Sequence, residues 1–291
     1  PSDFRQLLDA PHLSVFVAMQ GKNVVATALV LHEGDLSPQL CIDIRLGTRR
    51  LRGHLLPQSL LAQMGIDDAG NKRYARIMRI AVHPQRQRQG TGSVLESYIA
   101  QWAIVQKIDY IGASFGATAD LTQYWLKQQY QPIRLGLTKD SASGTHSLLV
   151  IKSLGDEKKS LLVQADDMFC RALRYSLASD LRELEPELAA LLIAQLSSAP
   201  ALPLGEQRNI KNFITTERPF EQVDYAIEAL IWHRPKLLMA LESEEKQLIV
   251  SKVLQRKTWG EIISRYKLCG KKQAKHKLKQ SINNFLAIGE D

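Results

Sequence analysis

The stretch Arg79-Ile80-Ala81-Val82-His83-Pro84-Gln85-Arg86-Gln87-Arg88-Gln89-Gly90-Thr91-Gly92-Ser93 constrains the fold more than any other. A short apolar run suited to a buried strand stops at His83-Pro84. A polar turn follows, and from Thr91-Gly92 the apolar positions Val94, Leu95, Tyr98, Ile99, Trp102 and Ala103 take helical spacing. Strand, phosphate-sized loop and helix in that order form a familiar anion cradle. The first amides of a helix have no intrahelical partner and the helix dipole adds partial positive charge, so a pyrophosphate fits there. Gly90 and Gly92 let the backbone approach it closely.

The Val-His-Pro run and the Gly-x-Gly spacing after a strand resemble the acetyl-CoA loop of the GNAT acyltransferases. The longer run from Arg79 to Gly92 is similar to one branch of them, the bacterial tRNA(Met) cytidine acetyltransferases. Further matches lie downstream in order. Ser114-Phe115-Gly116-Ala117-Thr118-Ala119-Asp120-Leu121-Thr122-Gln123-Tyr124-Trp125 resembles a family segment in which an acidic residue at Asp120 and a basic one at Lys127 contact acetyl-CoA. Lys127 replaces the arginine of relatives, which loses a bidentate phosphate fork. Upstream, Asp9-Ala10-Pro11-His12 matches the family where the chain enters the sheet. Arg49-Arg50-Leu51-Arg52-Gly53 resembles its substrate-side wall.

The resemblance implies a mixed-sheet α+β acyltransferase domain over residues 1–155, acetyl-CoA as cofactor and tRNA as partner. It implies transfer of acetyl to N4 of the wobble cytidine of elongator methionine tRNA. The cofactor residues carried over are Ile80, Ala81, Val82, Gln87, Arg88, Gln89, Gly90, Thr91, Gly92, Ser93, Asp120 and Lys127. In the family a large ATP-dependent helicase-like module precedes this region. Its phosphate-binding sequence is absent here, so ATP is expected only in that part of a longer parent polypeptide.

The catalytic assignments need the chemistry. Many GNAT enzymes place a tyrosine on the later helix as the acid for the departing thiolate, where this chain has Trp125, followed by Gln129-Tyr130 in place of Gly-Phe. Tryptophan cannot serve, so either Tyr124, one residue away, substitutes or the thiolate leaves through water. The exocyclic amine of cytosine is neutral at pH 7, and a base has only to take a proton as the new bond forms. His12 is the leading candidate for that base, ahead of His54 and His146, and an exposed loop histidine is the plain alternative for His12.

Around the loop, the pattern predicts strands over residues 12–18, 23–31, 107–114, 130–137 and 145–151. It predicts a helix capped by Thr118 that buries Leu121, Tyr124 and Trp125, and an N-terminal helix over residues 2–8. Past Lys159 the spacing becomes helical almost to the end, with breaks near residues 197–205, 218–219 and 234–235. This predicts an all-helical domain over residues 156–291.

That second region ends in a dense run of lysines. Lys271, Lys272, Lys275 and Lys279, with Trp259 and Tyr266 nearby, have the composition of a phosphate-tracking surface. Together with Arg49, Arg50 and Arg52 they are the candidate RNA contacts. A solvated charged face is the other reading of both clusters. A formal net charge of +8 suits a polyanionic partner. Cys41, Cys170 and Cys269 are an odd number, widely spaced, and point to reduced thiols rather than a disulfide or zinc framework. No apolar run is long enough for a membrane span and the first residues lack a signal-peptide pattern, so a cytoplasmic protein is expected. Two rival functions stay open from sequence: a non-catalytic remnant that binds acetyl-CoA or tRNA, and a GNAT enzyme acting on protein or small-molecule amines.

Overall fold

The computed structural model describes residues 12–155 and 159–289. The helix expected over residues 2–8 and the Asp9-Ala10-Pro11 run lie outside the described residues.

Six strands form one mixed sheet. Strands β1 (Leu13–Gln20) and β2 (Asn23–Gly34) make an antiparallel hairpin through the turn at Gly21-Lys22. Helices α1 (Pro38–Arg45) and α2 (Leu55–Ala62) follow within the insertion. Then come β3 (Arg73–Val82), α3 (Thr91–Val105), β4 (Tyr110–Gly116), α4 (Ala119–Lys127), β5 (Gln131–Lys139) and β6 (His146–Ser153). The spatial order is β1-β2-β3-β4-β6-β5. Only the β3–β4 neighbours are joined by a helical crossover, and they are parallel, as a crossover connection requires.

Each predicted strand is present, displaced by a few residues. β2 runs three residues past its expected end, to Gly34, and β4 begins at Tyr110 rather than Lys107, because Asp109 is spent at the end of the neighbouring strand: its carboxylate accepts the Arg73 amide at 2.7 Å. Thr118 does cap α4, its hydroxyl accepting the Leu121 amide at 3.3 Å. The buried face differs from expectation, however. Leu121 is exposed, and Thr122 is fully buried beside the expected Trp125. A seam one residue round from the apolar pattern faces inward, because in a nine-residue helix tertiary contacts outweigh periodicity.

One face of the sheet carries a core in which Leu56, Leu60 and Leu61 of α2 meet Tyr74, Tyr110, Ile133, Leu149 and Ile151. Gly112 permits this approach: a Cβ there would lie 2.7 Å from the Val150 carbonyl and 2.9 Å from the Leu56 side chain. Helix α3 packs on the other face, where Trp102 meets Phe16 and His32 edge-on with centroids 5.0 and 5.2 Å apart.

From residue 159 the chain is helical: α5 (Lys159–Leu177), α6 (Pro186–Ile193), α7 (Leu204–Thr215), α8 (Asp224–His233), α9 (Ser243–Ile249), α10 (Trp259–Arg265) and α11 (Lys271–Ile288). The expected breaks are all present. Two compact units result. The first contains the described residues up to Gly116, with Tyr124–Leu135 and Ser147–Met168. The second contains Ala117–Gln123, Gly136–His146 and the described residues from Phe169 onward. Among the described residues, no helix is long and apolar enough to cross a membrane.

Candidate active site

The first unit carries a cleft made by its own backbone. Strands β3 and β4 pair from Tyr74↔Tyr110 to Ile77↔Ala113 and then part, although β3 runs on to Val82 and β4 to Gly116. The cause of the parting lies on the other side of β3. Leu29 faces Arg79 while Val30 faces Ile77, so Met78 is an extra residue, a bulge that bends and twists the strand. Beyond it, Ile80, Ala81 and Val82 pair with β2 on one edge only. Across the gap, Ser114, Phe115 and Gly116 pair only with β6. The two facing edges are therefore open to an extended ligand with amide groups of its own.

The cleft leads into the loop singled out by the sequence. His83-Pro84 starts a single 3₁₀ turn, Pro84–Arg86. The Gln87 amide group donates to the Val82 carbonyl at 3.2 Å, and that of Gln89 to the Gln85 carbonyl at 2.9 Å, which folds the loop upon itself. Arg88 and Gly90 both take left-handed backbone, with φ of 59° and 83°. Gly90 is the N-cap of α3, which has no side-chain cap and no acidic residue in its first turn. The amides of Thr91, Gly92 and Ser93 are thus left to a ligand. Of the twelve predicted cofactor residues, the ten from Ile80 to Ser93 come together here. Asp120 and Lys127 occupy the first and last turns of α4, about 10 Å apart along its axis.

Tyr124 points at this loop. A Cβ on Gly92 would sit 3.4 Å from the Tyr124 hydroxyl and 3.4 Å from the Val82 side chain. The hydroxyl is buried and has no hydrogen-bond partner. Burial first, and then the Glu96 carboxylate, push its pKa up to about 12. The Ser93 hydroxyl lies close enough to draw it back slightly but outside hydrogen-bonding geometry, and itself accepts the Gln128 amide at 2.9 Å. Trp125 is core instead, stacked on Phe115 at 5.9 Å and edge-on to Tyr130 at 4.9 Å. Behind Tyr124 the buried Glu96 carboxylate accepts the Tyr130 hydroxyl at 2.8 Å and faces the Lys152 ammonium at 3.4 Å. Sequence reasoning missed this group, and the one available signal was a glutamate beside Leu95 on an otherwise apolar helix face.

A second concavity, of about 560 Å³, lies at the opposite end of β3, where Arg73 and Tyr74 begin the strand. His12, His32 and His54 all line it. His12 is exposed with φ of 94°, and its carbonyl accepts the His32 amide at 2.8 Å. Burial, then the neighbouring His12 and Arg73, lower the His32 pKa, and its Nε2 lies 3.0 Å from the Ser14 hydroxyl. His54 Nδ1 accepts the Gly34 amide at 3.0 Å. Glu33 is buried at the pocket wall. One of its oxygens accepts the Leu56 amide at 2.9 Å and the other accepts Arg76 Nε at 2.6 Å. Since Arg76 precedes Ile77, the last residue of β3 paired with β4, this wall adjoins the start of the cleft. His146, the third candidate base, is buried in the second unit with Nδ1 2.8 Å from the Gly136 carbonyl, a tie between neighbouring strands. The described residues hold no cluster of three metal-ligating side chains.

The predicted RNA contacts fall in both units. Arg49, Arg50 and Arg52 are exposed between α1 and α2. In α11, Lys272 is exposed and Lys275 half-buried, and Lys271 lies over the Trp259 ring at 5.9 Å. Lys279 is partly committed to the fold, donating to the Thr216 carbonyl at 2.6 Å and lying over Phe213. Lys252, not singled out as a contact, sits over both Phe220 and Trp259 at 5.2 and 4.6 Å.

The profile of one family, GNAT acetyltransferase 2, matches residues 1–104 and 94–155. Among relatives, the protein named tRNA(Met) cytidine acetyltransferase TmcA of Nitrosococcus halophilus is 37% identical over 287 residues, covering 97% of this chain and 38% of that protein. The one so named from Vibrio cholerae is 36% identical over 285 residues, with the same coverage of both. That of Methanopyrus kandleri is 30% identical over 273 residues, covering 90% of this chain and 31% of its own length. The chain thus spans little more than a third of the relatives that it matches.

Proposed function

The chain belongs to the GNAT acetyltransferase 2 family, and on that premise we propose that it transfers acetyl from acetyl-CoA to N4 of the wobble cytidine of elongator tRNA(Met). The observation that carries the proposal is the parting of β3 from β4 after Ile77, directly before the uncapped N-terminus of α3. A cleft with two open strand edges suits the amides of the pantetheine arm. The helix start suits the pyrophosphate. The relatives named for tRNA(Met) cytidine acetylation support the choice of acceptor.

In this reading the backbone of Ile80–Val82 holds the arm and offers an amide to the carbonyl oxygen as it gains charge. The acceptor enters from the other end of β3, past His12. The N4–carbon bond forms, the carbon–sulfur bond breaks, the proton leaving N4 is relayed through water to His12, and Tyr124 gives its proton to the departing sulfur. Asp120 and Lys127 complete the cofactor contacts, and Arg49, Arg50 and Arg52 meet RNA phosphates. A tRNA substrate places the protein in the cytoplasm. An ATP-driven helicase-like module in the parent polypeptide belongs to the same proposal.

Incubating the chain with labelled acetyl-CoA and unmodified tRNA(Met) tests the reading, with label expected in N4-acetylcytidine. Label appearing in protein or small amines but never in RNA would overturn it. Acetyl-CoA and tRNA both bound without transfer, even with the full-length polypeptide restored, would identify a binding remnant.

The helical unit gives a separate expectation. Replacing Lys271, Lys272 and Lys275 by alanine weakens tRNA binding at low salt. It also lowers the steepness of log affinity against log salt concentration by about 2 to 3, since each lost phosphate contact removes a little under one counterion. A filter-binding series across salt concentrations reads this directly, and an unchanged slope removes these lysines from the interface.

A further inference from the structure

We infer that His54 is a fixed hydrogen-bond donor that selects cytosine over uracil at the acceptor pocket, through its Nε2–H to ring atom N3. The inference rests on the cytidine acceptor proposed above. It starts from a bond whose direction admits no choice. The Gly34 backbone amide can only donate, so His54 Nδ1 must accept and carries no proton. A neutral ring so held has its proton on Nε2. That atom has no partner among the described residues, and the residue lines the pocket.

The ring is also held rigidly. His54 takes left-handed backbone, φ 50° and ψ 37°, at the N-cap of α2, and its carbonyl accepts the Gln58 side-chain amide at 3.2 Å. A non-glycine residue in that region is kept there by its surroundings.

Of the pocket's other polar groups, the Tyr74 hydroxyl donates to the Ala69 carbonyl, the Ser37 hydroxyl accepts the Leu40 amide, and Asp35 and Arg73 are exposed. Both oxygens of Glu33 are bonded, and His32 Nε2 faces Ser14. His12 is exposed and is the proposed base. Cytosine N3 is an acceptor, whereas uracil carries a proton there. A fixed donor therefore pairs with the first and meets an unpaired donor in the second. Since N3 adjoins the carbon bearing N4, the same contact orients the reacting amine.

Histidine ¹⁵N NMR on the chain tests this without need of turnover. His54 is expected to show a bare Nδ1 and a protonated Nε2. Cytidine monophosphate is expected to shift the Nε2 signal, and uridine monophosphate to bind about tenfold more weakly at this site. H54N is the informative variant: asparagine tolerates left-handed backbone and its side-chain oxygen can still accept the Gly34 amide, but its NH2 then stands at the place of ring carbon Cδ2 and falls short of the Nε2–H position. It should keep its thermal unfolding temperature and lose the preference for cytidine. A proton found on Nδ1, equal response to the two nucleotides, no response to either, or an undiminished preference in H54N would each overturn the assignment. Cytidine bound through His54 by a wild-type chain that never forms N4-acetylcytidine would instead count against the acetyl transfer and leave the pocket assignment standing.

Discussion

Acetyl-CoA affinity falls by at least about 100-fold when Gly90 and Gly92 are both replaced by glutamate, a loss of about 2.7 kcal/mol. Gly90 caps α3 and Gly92 lies in a first turn that has no acid, so the variant brings two carboxylates to the point proposed for the diphosphate. At about 5 Å and an effective dielectric of 20, each like-charge pair costs roughly 3 kcal/mol, more than enough for the predicted loss. Space adds to the effect, because a side chain on Gly92 starts in contact with the Tyr124 hydroxyl and Val82. The helix itself should survive. Each glutamate near a helix N-terminus contributes roughly 0.3 to 1 kcal/mol, and the two together offset much of the cost of about 1 to 2 kcal/mol for a side chain at the φ of 83° held by Gly90. Calorimetric titration with acetyl-CoA, alongside thermal unfolding, checks both halves. Retained affinity in a folded variant would move the cofactor away from this loop.

Tyr124→Phe should lower kcat by about 100-fold or more while leaving the KM for acetyl-CoA nearly unchanged. A merely structural tyrosine would behave in the opposite way. Its hydroxyl is buried without a partner, so removing it takes away an unpaired polar group, and the variant should be as stable as the parent or more so, by up to about 1 kcal/mol. Activity lost together with stability retained is thus the signature of an acid. The pH profile supplies an independent reading. An acid must hold its proton to act and fails as pH rises through its pKa. With that value pushed up to about 12, from an ordinary phenol value near 10, wild-type kcat should show no fall on the alkaline side before about pH 11. An unchanged kcat in the phenylalanine variant would mean that the sulfur takes its proton from water.

Much of this site is legible along the chain because it is built from neighbours in sequence. The run from Ile80 to Ser93 supplies strand, turn and helix start consecutively, proline at 84 fixes one backbone angle, and glycine at 90 admits the left-handed conformation on which the helix starts. The switch to helical spacing near Lys159 and the breaks that divide the later helices are likewise local. The side chains proposed to work on the ligand are harder to read. Two aromatic residues, Tyr124 and Trp125, occur side by side, and which of them faces the loop depends on how α4 is rotated. Exposed Leu121 and buried Thr122 show that periodicity alone misplaces that face.

The sequence by itself determined the strand–turn–helix run from Ile80 to Ser93, the order of the elements and the change of architecture past the sheet. These follow from backbone restrictions and hydrophobic period over a few residues. Only the tertiary structure decided the rest. The extra residue Met78 is visible as a bulge only against the register of β2, and the parting of β3 from β4 only against β4. The burial of Glu96 with Tyr130 and Lys152, and the gathering of His12, His32 and His54 at one end of β3, join residues tens of positions apart. The physical reason is the same for each: strand pairing and side-chain burial are set by partners distant in sequence, and a linear pattern does not specify those partners.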